Sequence, residues 1–258
     1  MFRLSKWYCD CVTDEGSAFV GYWARMGWGP FCLPYTATLY RRKGEPTRER
    51  HSLRKSNPPA VQGKKLVWEC DPLGIRGVWS QGSTSVSRTL LETIDGAIEW
   101  NCHFPAARTR IDLDGAARMS GLGYAENLEM TVKPWKLPFE QLRWGRFISD
   151  EHALTWIEWI GKEANRWVFH NGAEHRDVTF EPRRIELPRG HGTIKLHDEA
   201  VLREGRLLST ALNGVPGAGV WLPRRLRNAY EVKWLAAGTL ETEAGVSRGW
   251  AIHEVIRL

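Results

Sequence analysis

Glu126 is the acidic residue best placed for proton-transfer chemistry, two positions after Tyr124 in an alternating run. Alternate residues of a strand share a face, so Tyr124, Glu126, Leu128 and Met130 would lie side by side. This face is the more apolar one, and we expect it to point inward. Burial disfavours the ionised carboxylate and raises the pKa of a glutamic acid, which makes it a proton donor near neutral pH. Glu126 and Tyr124 are therefore candidate catalytic residues, with a purely structural hydrogen-bonded pair as the alternative.

Trp144 and Arg146 form a second alternating pair on a later strand. A buried arginine is expected to meet a carboxylate through its guanidinium fork, and Glu126 is the natural partner. Such a pair would lower the carboxyl pKa and weaken the acid hypothesis. If the Glu126 side chain does not contact Arg146, Arg146 would instead anchor a carboxylate or phosphate of a ligand. Trp144 and Arg146 are therefore candidate substrate-binding residues.

Two further strands place charged side chains among indoles. Glu158 shares a face with Trp156, which makes Glu158 a candidate catalytic residue and Trp156 a candidate wall of a cavity. His103 shares a face with Glu99 and could act as a base, although a solvent-facing polar strand is the commoner explanation of such a face. Trp100 lies on the other face of the same strand and completes the candidate substrate-binding set.

If Glu126 is the acid, we expect Tyr124, Trp144 and Glu158 to surround one pocket, with Arg146 close by. The 14 tryptophans among 258 residues support an indole-lined cavity, although core packing explains most single tryptophans. Aromatic faces in such a cavity would stabilise positive charge that develops on an apolar substrate.

Composition places the chain among globular proteins, with 42% hydrophobic and 26% charged residues. No run of about 18 apolar residues is present, so we expect no membrane span. The opening residues lack the apolar core of a secretion signal. The five cysteines, an odd number without a Cys-x-x-Cys motif, fit buried thiols in a reducing cytoplasm.

Thirty-six basic against 30 acidic residues give a net charge of +6, with arginines clustered at 41–55, 183–184 and 224–227. Clustered cations can bind phosphates, but no nucleic-acid-binding motif accompanies them, so we expect solvated loops and no nucleic-acid partner. The histidines show no ligand spacing, which predicts no metal site. The glycine-rich run 214–219 lacks the Lys-Ser/Thr of a phosphate-binding loop and is interpreted as a turn, so no cofactor is expected.

Short alternating runs separated by turn signals extend along the whole chain. Lys6–Thr13 and Ser17–Met26 predict a hairpin, and Asn171-Gly172 predicts a tight hairpin turn. The polar segment Arg41–Pro59 is expected to be an exposed loop or ragged edge. About sixteen short strands and no long helical period indicate an all-β fold, as two packed antiparallel barrels or one large double sheet.

Three motifs resemble a known family. These are Lys6-Trp7-Tyr8-Cys9-Asp10 with Asp14-Glu15-Gly16, then Gly121-Leu122-Gly123-Tyr124-Ala125-Glu126, then Leu142-Arg143-Trp144-Gly145-Arg146-Phe147. Together they are similar to the lipocalin-like superfamily of carotenoid 1,2-hydratases, tocopherol-cyclase-like proteins and related tandem-barrel proteins. The resemblance implies two lipocalin-like antiparallel β-barrel or half-barrel domains, residues 1–136 and 137–258, packed together with a ligand cavity near their junction.

The sequence departs from the hydratase-type members of this family at one point. Those members carry an Asp-His pair after the Gly-Tyr, whereas this chain has Ala125-Glu126-Asn127. Carotenoid and tocopherol substrates are therefore not carried over.

The function that these observations favour is a cofactor-free enzyme that performs acid/base chemistry on an apolar or amphipathic small molecule. Hydration, cyclisation, isomerisation and hydrolysis all remain open. A non-catalytic binding protein for such a molecule is the alternative, and binding of an anionic surface through the arginine clusters is a third class. The sequence leaves a homodimer open.

Overall fold

The computed structural model describes residues 1–114, 117–207, 209 and 223–258. It confirms the all-β prediction with two antiparallel sheets. The chain divides into two compact units, residues 1–137 and the described residues from 138 onward. The glycine-rich run 214–219 lies outside the described residues. Within the described part of the chain, no helix has the length and apolar character needed to cross a membrane.

The described residues of the first unit form ten strands and two single-turn helices, at Asp71–Leu73 and Pro134–Lys136. The strands are β1 Phe2–Val12, β2 Ala18–Trp28, β3 Phe31–Arg41, β4 Arg48–Ser52, β5 Ala60–Gln62, β6 Lys65–Cys70, β7 Ile75–Gln81, β8 Val86–Thr93, β9 Gly96–Leu113 and β10 Ala117–Met130. They pair in the order β4-β3-β2-β1-β10-β9-β7-β6-β5, and β8 pairs with β9 outside this path.

Alternation in the sequence predicts two strands, Ala97–Phe104 and Arg108–Leu113. In the structure both belong to one strand, β9, which continues across Pro105. Its first half pairs with β8 and its second half with β7, while β10 runs along its other edge. The segment Arg41–Pro59 was expected to be a loop or ragged edge, and it contains the exposed edge strand β4.

Buried side chains on one face of this sheet form a hydrophobic cluster of the first unit. They include Cys9, Cys11, Phe19, Trp23, Trp68, Trp79, Phe104, Ile111 and Ala125. The indole N–H groups of Trp23 and Trp79 donate to main-chain carbonyls of Ser56 and Asp10, at 3.0 and 2.7 Å. The donors of these two buried indoles are therefore satisfied.

The second unit contains nine strands and a one-turn helix at Arg224–Arg227 among its described residues. The strands are β11 Gln141–Ile148, β12 Ala153–Ile160, β13 Asn165–His170, β14 Ala173–His175, β15 Thr179–Glu181, β16 Arg184–Glu186, β17 Thr193–Arg206, β18 Tyr230–Thr242 and β19 Gly245–Arg257. Their order is β14-β13-β12-β11-β19-β18-β17-β16-β15. The predicted Asn171-Gly172 turn connects β13 to β14, with φ of 49° and 87° as a type I′ turn requires.

The core of the second unit lies on one face of its sheet. Phe147, Leu154, Trp156, Val168, Ile194, Leu196, Ala236, Leu240 and Ala251 belong to it. Gly145 lies beneath the ring of Trp156, since a Cβ at this glycine would overlap that ring. A glycine therefore allows the indole to pack flat against β11.

Candidate functional site

Two tyrosines and two acids form a crossed arrangement on neighbouring strands of the first unit. In the antiparallel pair of β1 and β10, Tyr8 lies opposite Glu126 and Asp10 lies opposite Tyr124. Each strand contributes a Tyr-x-acid sequence, and the antiparallel direction sets each tyrosine beside the acid of the other strand. Alternate positions share a face, so all four side chains lie on one side of the sheet.

Each tyrosine of this group, which we call the Tyr–acid quartet, hydrogen-bonds to the acid of its own strand. The Tyr8 hydroxyl donates to Asp10 Oδ2 at 3.0 Å, and the Tyr124 hydroxyl donates to Glu126 Oε2 at 2.6 Å. The Trp100 indole N–H also donates to Glu126 Oε2, at 2.5 Å. Glu126 is therefore held by a phenol and an indole.

The quartet is removed from water. Asp10 and Tyr124 are fully buried, and Glu126 is 8% exposed. Burial raises the pKa of Tyr124 and of the Cys102 thiol well above their usual values, and the charges of Asp10 and Glu126 both add to the shift at Cys102. The register makes Asp10 and Glu126 diagonal neighbours on the paired strands.

The Tyr124 face of β10 points inward, as predicted. Tyr124 is fully buried and Glu126 is buried. The opposite face, which carries Ala125, packs into a hydrophobic cluster of the first unit. Both faces of β10 are therefore buried at this level.

Sequence reasoning assigned no chemistry to Tyr8 and treated Asp10 only as a hydrogen-bond acceptor near a strand end. The sequence contains one indication that Tyr8 and Asp10 belong to the site. The pattern Tyr-x-acid occurs twice, as Tyr8-Cys9-Asp10 and as Tyr124-Ala125-Glu126. On paired antiparallel strands, two such patterns can face each other. The pairing itself, which joins residues more than a hundred positions apart, was not predictable from local spacing.

His103 lies on the face of β9 that carries Asn101, away from Trp100. Its ring stacks on Trp7 with centroids 5.1 Å apart. Burial lowers the pKa of the His103 imidazole, which is half-buried. The structure therefore separates His103 from the Tyr–acid quartet and places it beside an indole.

Glu158 is held between two arginines in the second unit. Its carboxylate accepts from Arg166 Nε at 3.1 Å and from Arg143 Nη1 at 3.3 Å, and Arg166 Nη2 forms a third contact. The Glu158 side chain is 7% exposed, whereas both arginine side chains are more than a third exposed. A carboxylate with three guanidinium contacts is a stable anion, which suits an ion pair better than a proton donor.

The prediction that Trp144 and Glu158 border one pocket was wrong. Arg143 pairs with Glu158 and Trp144 pairs with Ile157, so Trp144 and Glu158 lie on opposite faces of the sheet. Trp144 and Arg146 share the face away from the core of the second unit. Arg146 is nevertheless buried, and its Nη1 donates to the Trp250 carbonyl at 2.6 Å.

The same face of the second unit carries other buried charges. Lys233 is fully buried, contacts Glu254 and Glu231, and lies 5.3 Å from the centre of the Trp144 ring. A buried lysine between two carboxylates and an indole face is well compensated. Arg146 and Trp144 therefore belong to a polar layer.

A cavity of about 310 Å³ lies in the second unit. Trp156 and Trp234 contribute indoles to its wall, and Arg143, Glu199 and His253 contribute polar groups. His253 stacks on Trp234 and its Nε2 lies 3.1 Å from Glu199 Oε1. Burial lowers the pKa of His253 to about 4, against the opposing effect of Glu199, so the imidazole is neutral near pH 7.

Three histidines meet elsewhere in the second unit, which corrects the expectation drawn from their spacing. One nitrogen each of His170, His175 and His191 lies within 4.8 Å of the others. His152 adds a fourth ring, with its Nδ1 3.0 Å from His170 Nε2. Burial and the neighbouring imidazoles lower the pKa of His170 to about 4. These rings have the ligand type that could hold a metal ion.

Seven of the eight predicted site residues fall into three groups, and His103 lies apart beside Trp7. Tyr124, Glu126 and Trp100 are hydrogen-bonded together in the first unit. Trp156 and Glu158 share the core face of the second unit, and Trp144 and Arg146 share its other face.

Comparison of the whole structure with solved structures finds similar folds over nearly the whole chain. CghA, in a crystal structure with Sch210972, gives a TM-score of 0.60 at 11% identity, covering 100% of this chain and 89% of that one. Kievitone hydratase from Nectria haematococca gives 0.56 at 12%, covering 98% and 88%. A putative AttH from Nitrosomonas europaea gives 0.50 at 12%, covering 98% and 92%.

No protein-family model matches the sequence, and no curated protein matches it significantly. The all-β fold that the resemblance implied is confirmed, with two antiparallel sheets, and these solved structures share the fold. Identities of 11–12% show the fold alone.

Proposed function

We propose that this protein is an enzyme that transfers protons to and from an apolar or amphipathic small molecule, using Asp10 and Glu126 as an acid/base pair. The observation that carries the proposal is the Tyr–acid quartet, in which two buried carboxyls are held by tyrosine hydroxyls on paired strands. Metal ions and organic cofactors are not needed for this chemistry.

The pair provides both roles that acid/base chemistry needs. Two neighbouring buried carboxyls seldom ionise together, so one keeps a proton and the other carries the charge. The protonated carboxyl donates to an alkene, enol or epoxide of the substrate. The carboxylate then removes a proton from the attacking water, or from carbon when the product is an isomer or a ring.

The surroundings of Glu126 suit a cationic intermediate. Trp100, Tyr8 and Tyr124 supply aromatic rings beside the two carboxyls, with the Tyr8 and Tyr124 ring centres 6.0 Å apart. Aromatic faces attract positive charge, most strongly where water is excluded. The arrangement therefore favours protonation of carbon or oxygen in an apolar substrate.

The structural matches support this class of reaction without identifying the substrate. Kievitone hydratase is a hydratase by name, and CghA was crystallised with the small molecule Sch210972. Both share the fold across most of their length. We infer a related type of substrate, a small and largely apolar molecule, and no particular compound.

Isotope incorporation tests the proposal on a mixture of small molecules, so no single substrate has to be chosen. A small-molecule extract of the producing organism is incubated with the protein in water enriched in deuterium and oxygen-18, and mass spectrometry follows new mass shifts. We expect shifts with the native protein and with Glu129→Gln, a control on the same strand. Shifts that persist unchanged in folded Glu126→Gln would refute the assignment.

The second candidate is a binding protein that holds such a molecule unchanged, and the indole-lined cavity of the second unit favours it. A volume of about 310 Å³ falls at the lower end of small-molecule pockets. Native mass spectrometry of protein purified from its own host separates the two. A copurified molecule that shows no isotope exchange with the native protein would establish binding without catalysis.

A further inference from the structure

We propose that His170, His175 and His191 form a binding site for a divalent transition-metal ion, with Zn²⁺ as the fitting example. One ring nitrogen of each histidine lies within 4.8 Å of the other two. Zn–N bonds of about 2.0–2.1 Å place tetrahedral ligands about 3.4 Å apart, so small ring rotations bring three nitrogens onto one ion. A water molecule would complete the tetrahedron.

Local backbone structure explains why the first two histidines meet. His170 ends β13 and His175 ends β14, on either side of the Asn171-Gly172 turn. The register sets His170 opposite Ala173 and Val168 opposite His175, so the two rings project from the same face in diagonal positions. Their ring centres are 6.1 Å apart.

His191 reaches the pair from a distant part of the sheet. It lies in the loop between β16 and β17, where its amide donates to the Pro188 carbonyl, and its ring centre is 4.4 Å from that of His175. β14 is at one end of the strand order of the second unit, and β16 is next to the other end. An ion at these histidines would therefore join both ends of the sheet.

His152 completes the site from a fourth direction as a positioning residue. It precedes β12, and its Nδ1 lies 3.0 Å from Nε2 of His170. In this proposal His170 binds the ion through Nδ1, and the hydrogen bond between its Nε2 and His152 fixes the tautomer and orientation of the ring. Imidazoles without thiolates or carboxylates select zinc, copper or nickel over magnesium and calcium.

The ligand residues require little refolding to bind an ion. His170 and His175 are half-buried and His191 is exposed, so an ion can reach them from water. The site is independent of the proposed acid/base reaction, because its residues belong to the second unit and the Tyr–acid quartet belongs to the first.

Equilibrium dialysis of the full chain against Zn²⁺ alone, on protein without a histidine tag, tests the site. We expect one Zn²⁺ per chain, with Mg²⁺ not retained. Zn²⁺ at a hundredfold excess over Kd should raise the melting temperature of the wild type by roughly 5–10 °C. His191→Asn should weaken binding more than about 100-fold, beyond the usual effect of an outer-shell change.

Two further variants keep the test decisive. His152→Asn should weaken binding by about 10–100-fold while leaving one ion per chain, as expected for a positioning residue. His197→Asn removes an exposed histidine of β17 and should change nothing. His191 is exposed, so its replacement should not unfold the protein, and thermal melting without metal verifies this. Equal Zn²⁺ affinity of wild type, His191→Asn and His197→Asn would overturn the proposal.

Discussion

Tyr8 lies directly opposite Glu126 in the pair formed by β1 and β10, and the same register sets Asp10 opposite Tyr124. Each tyrosine donates to the acid two residues away on its own strand, so the two hydrogen bonds run in opposite directions along the sheet. The chemistry of the quartet is close to two-fold symmetric, because each strand contributes one tyrosine and one acid. In the function proposed above, the two carboxyls share one proton, which distinguishes them from a pair of independent acids.

The two acids should behave as one catalytic unit. Asp10→Asn and Glu126→Gln should each reduce the rate of isotope incorporation by about 10²–10⁴, because each removes one member of the pair. The double variant should be no slower than the slower single variant, since residues that act together are not additive. Multiplied losses in the double variant would show that the two acids work separately.

The all-β fold could be predicted because alternation and turn signals are local properties. The hairpin turn at Asn171-Gly172 is an example, since its geometry depends on two adjacent residues. The sequence predicts two strands in this region, Ala97–Phe104 and Arg108–Leu113, whereas the structure has the single strand β9 across Pro105. The strand continues through Pro105, and near this residue its pairing partner on one edge changes from β8 to β7.

The candidate site was predictable only in part for the same reason. Tyr124 and Glu126 share a strand, so their contact follows from alternation. Asp10 reaches them through a pairing of distant strands, and His191 reaches His175 through the closure of a sheet. Local spacing carries no information on either contact.

Replacement of Glu158 should affect stability and leave the chemistry unchanged. Glu158→Gln leaves Arg143 and Arg166 without their anion. Breaking a buried pair costs about 3–5 kcal/mol, but both arginines are partly exposed and screened, so we expect about 1–3 kcal/mol from urea unfolding. Glu45→Gln, which removes an exposed partner of Arg42 and Arg48, should cost less than about 1 kcal/mol. Loss of isotope incorporation in folded Glu158→Gln would restore its catalytic candidacy.

The stability of the protein should fall on acidification because of His253. Burial lowers the pKa of His253 to about 4, with Glu199 opposing the shift and Lys233 and Arg183 adding to it. The unfolded chain binds a proton near pH 6.5 and the folded chain does not, so this stabilisation is present above pH 6.5 and is lost as the pH falls to about 4. The loss from this residue is at most about 3 kcal/mol.

Urea unfolding of wild type and His253→Gln at several pH values between 7 and 4 measures this effect. The slope of stability against pH should be steeper in the wild type, since glutamine does not titrate. His51→Gln, at an exposed position of β4, serves as the control and should keep the wild-type slope. Parallel curves for wild type and His253→Gln would contradict the assignment.

Cys32 should be the fast-reacting thiol among the five cysteines. It is exposed on β3, in contrast to the expectation of buried thiols, whereas Cys9, Cys11, Cys70 and Cys102 are buried. Burial also raises the pKa of Cys9, Cys70 and Cys102, which keeps these thiols protonated and slow to react. A colorimetric disulfide reagent should modify one thiol quickly in the native protein and five after unfolding. Cys32→Ser should abolish the fast phase, and a fast phase that remains would show that a core thiol is accessible.

Gly145→Ala should destabilise the second unit, because the space above this glycine is filled. The added methyl would overlap Cζ2 of Trp156 and lie 2.7 Å from Cβ of His253, both on the cavity wall. Overpacking of this kind costs about 1–3 kcal/mol, because the indole or the strand must move. Gly27→Ala in β2 is the matched control, since its new methyl would meet no atom closer than 3.8 Å. Thermal unfolding should show a lower melting temperature for Gly145→Ala alone. Equal melting temperatures for the two variants would mean that Trp156 does not pack against β11 as described.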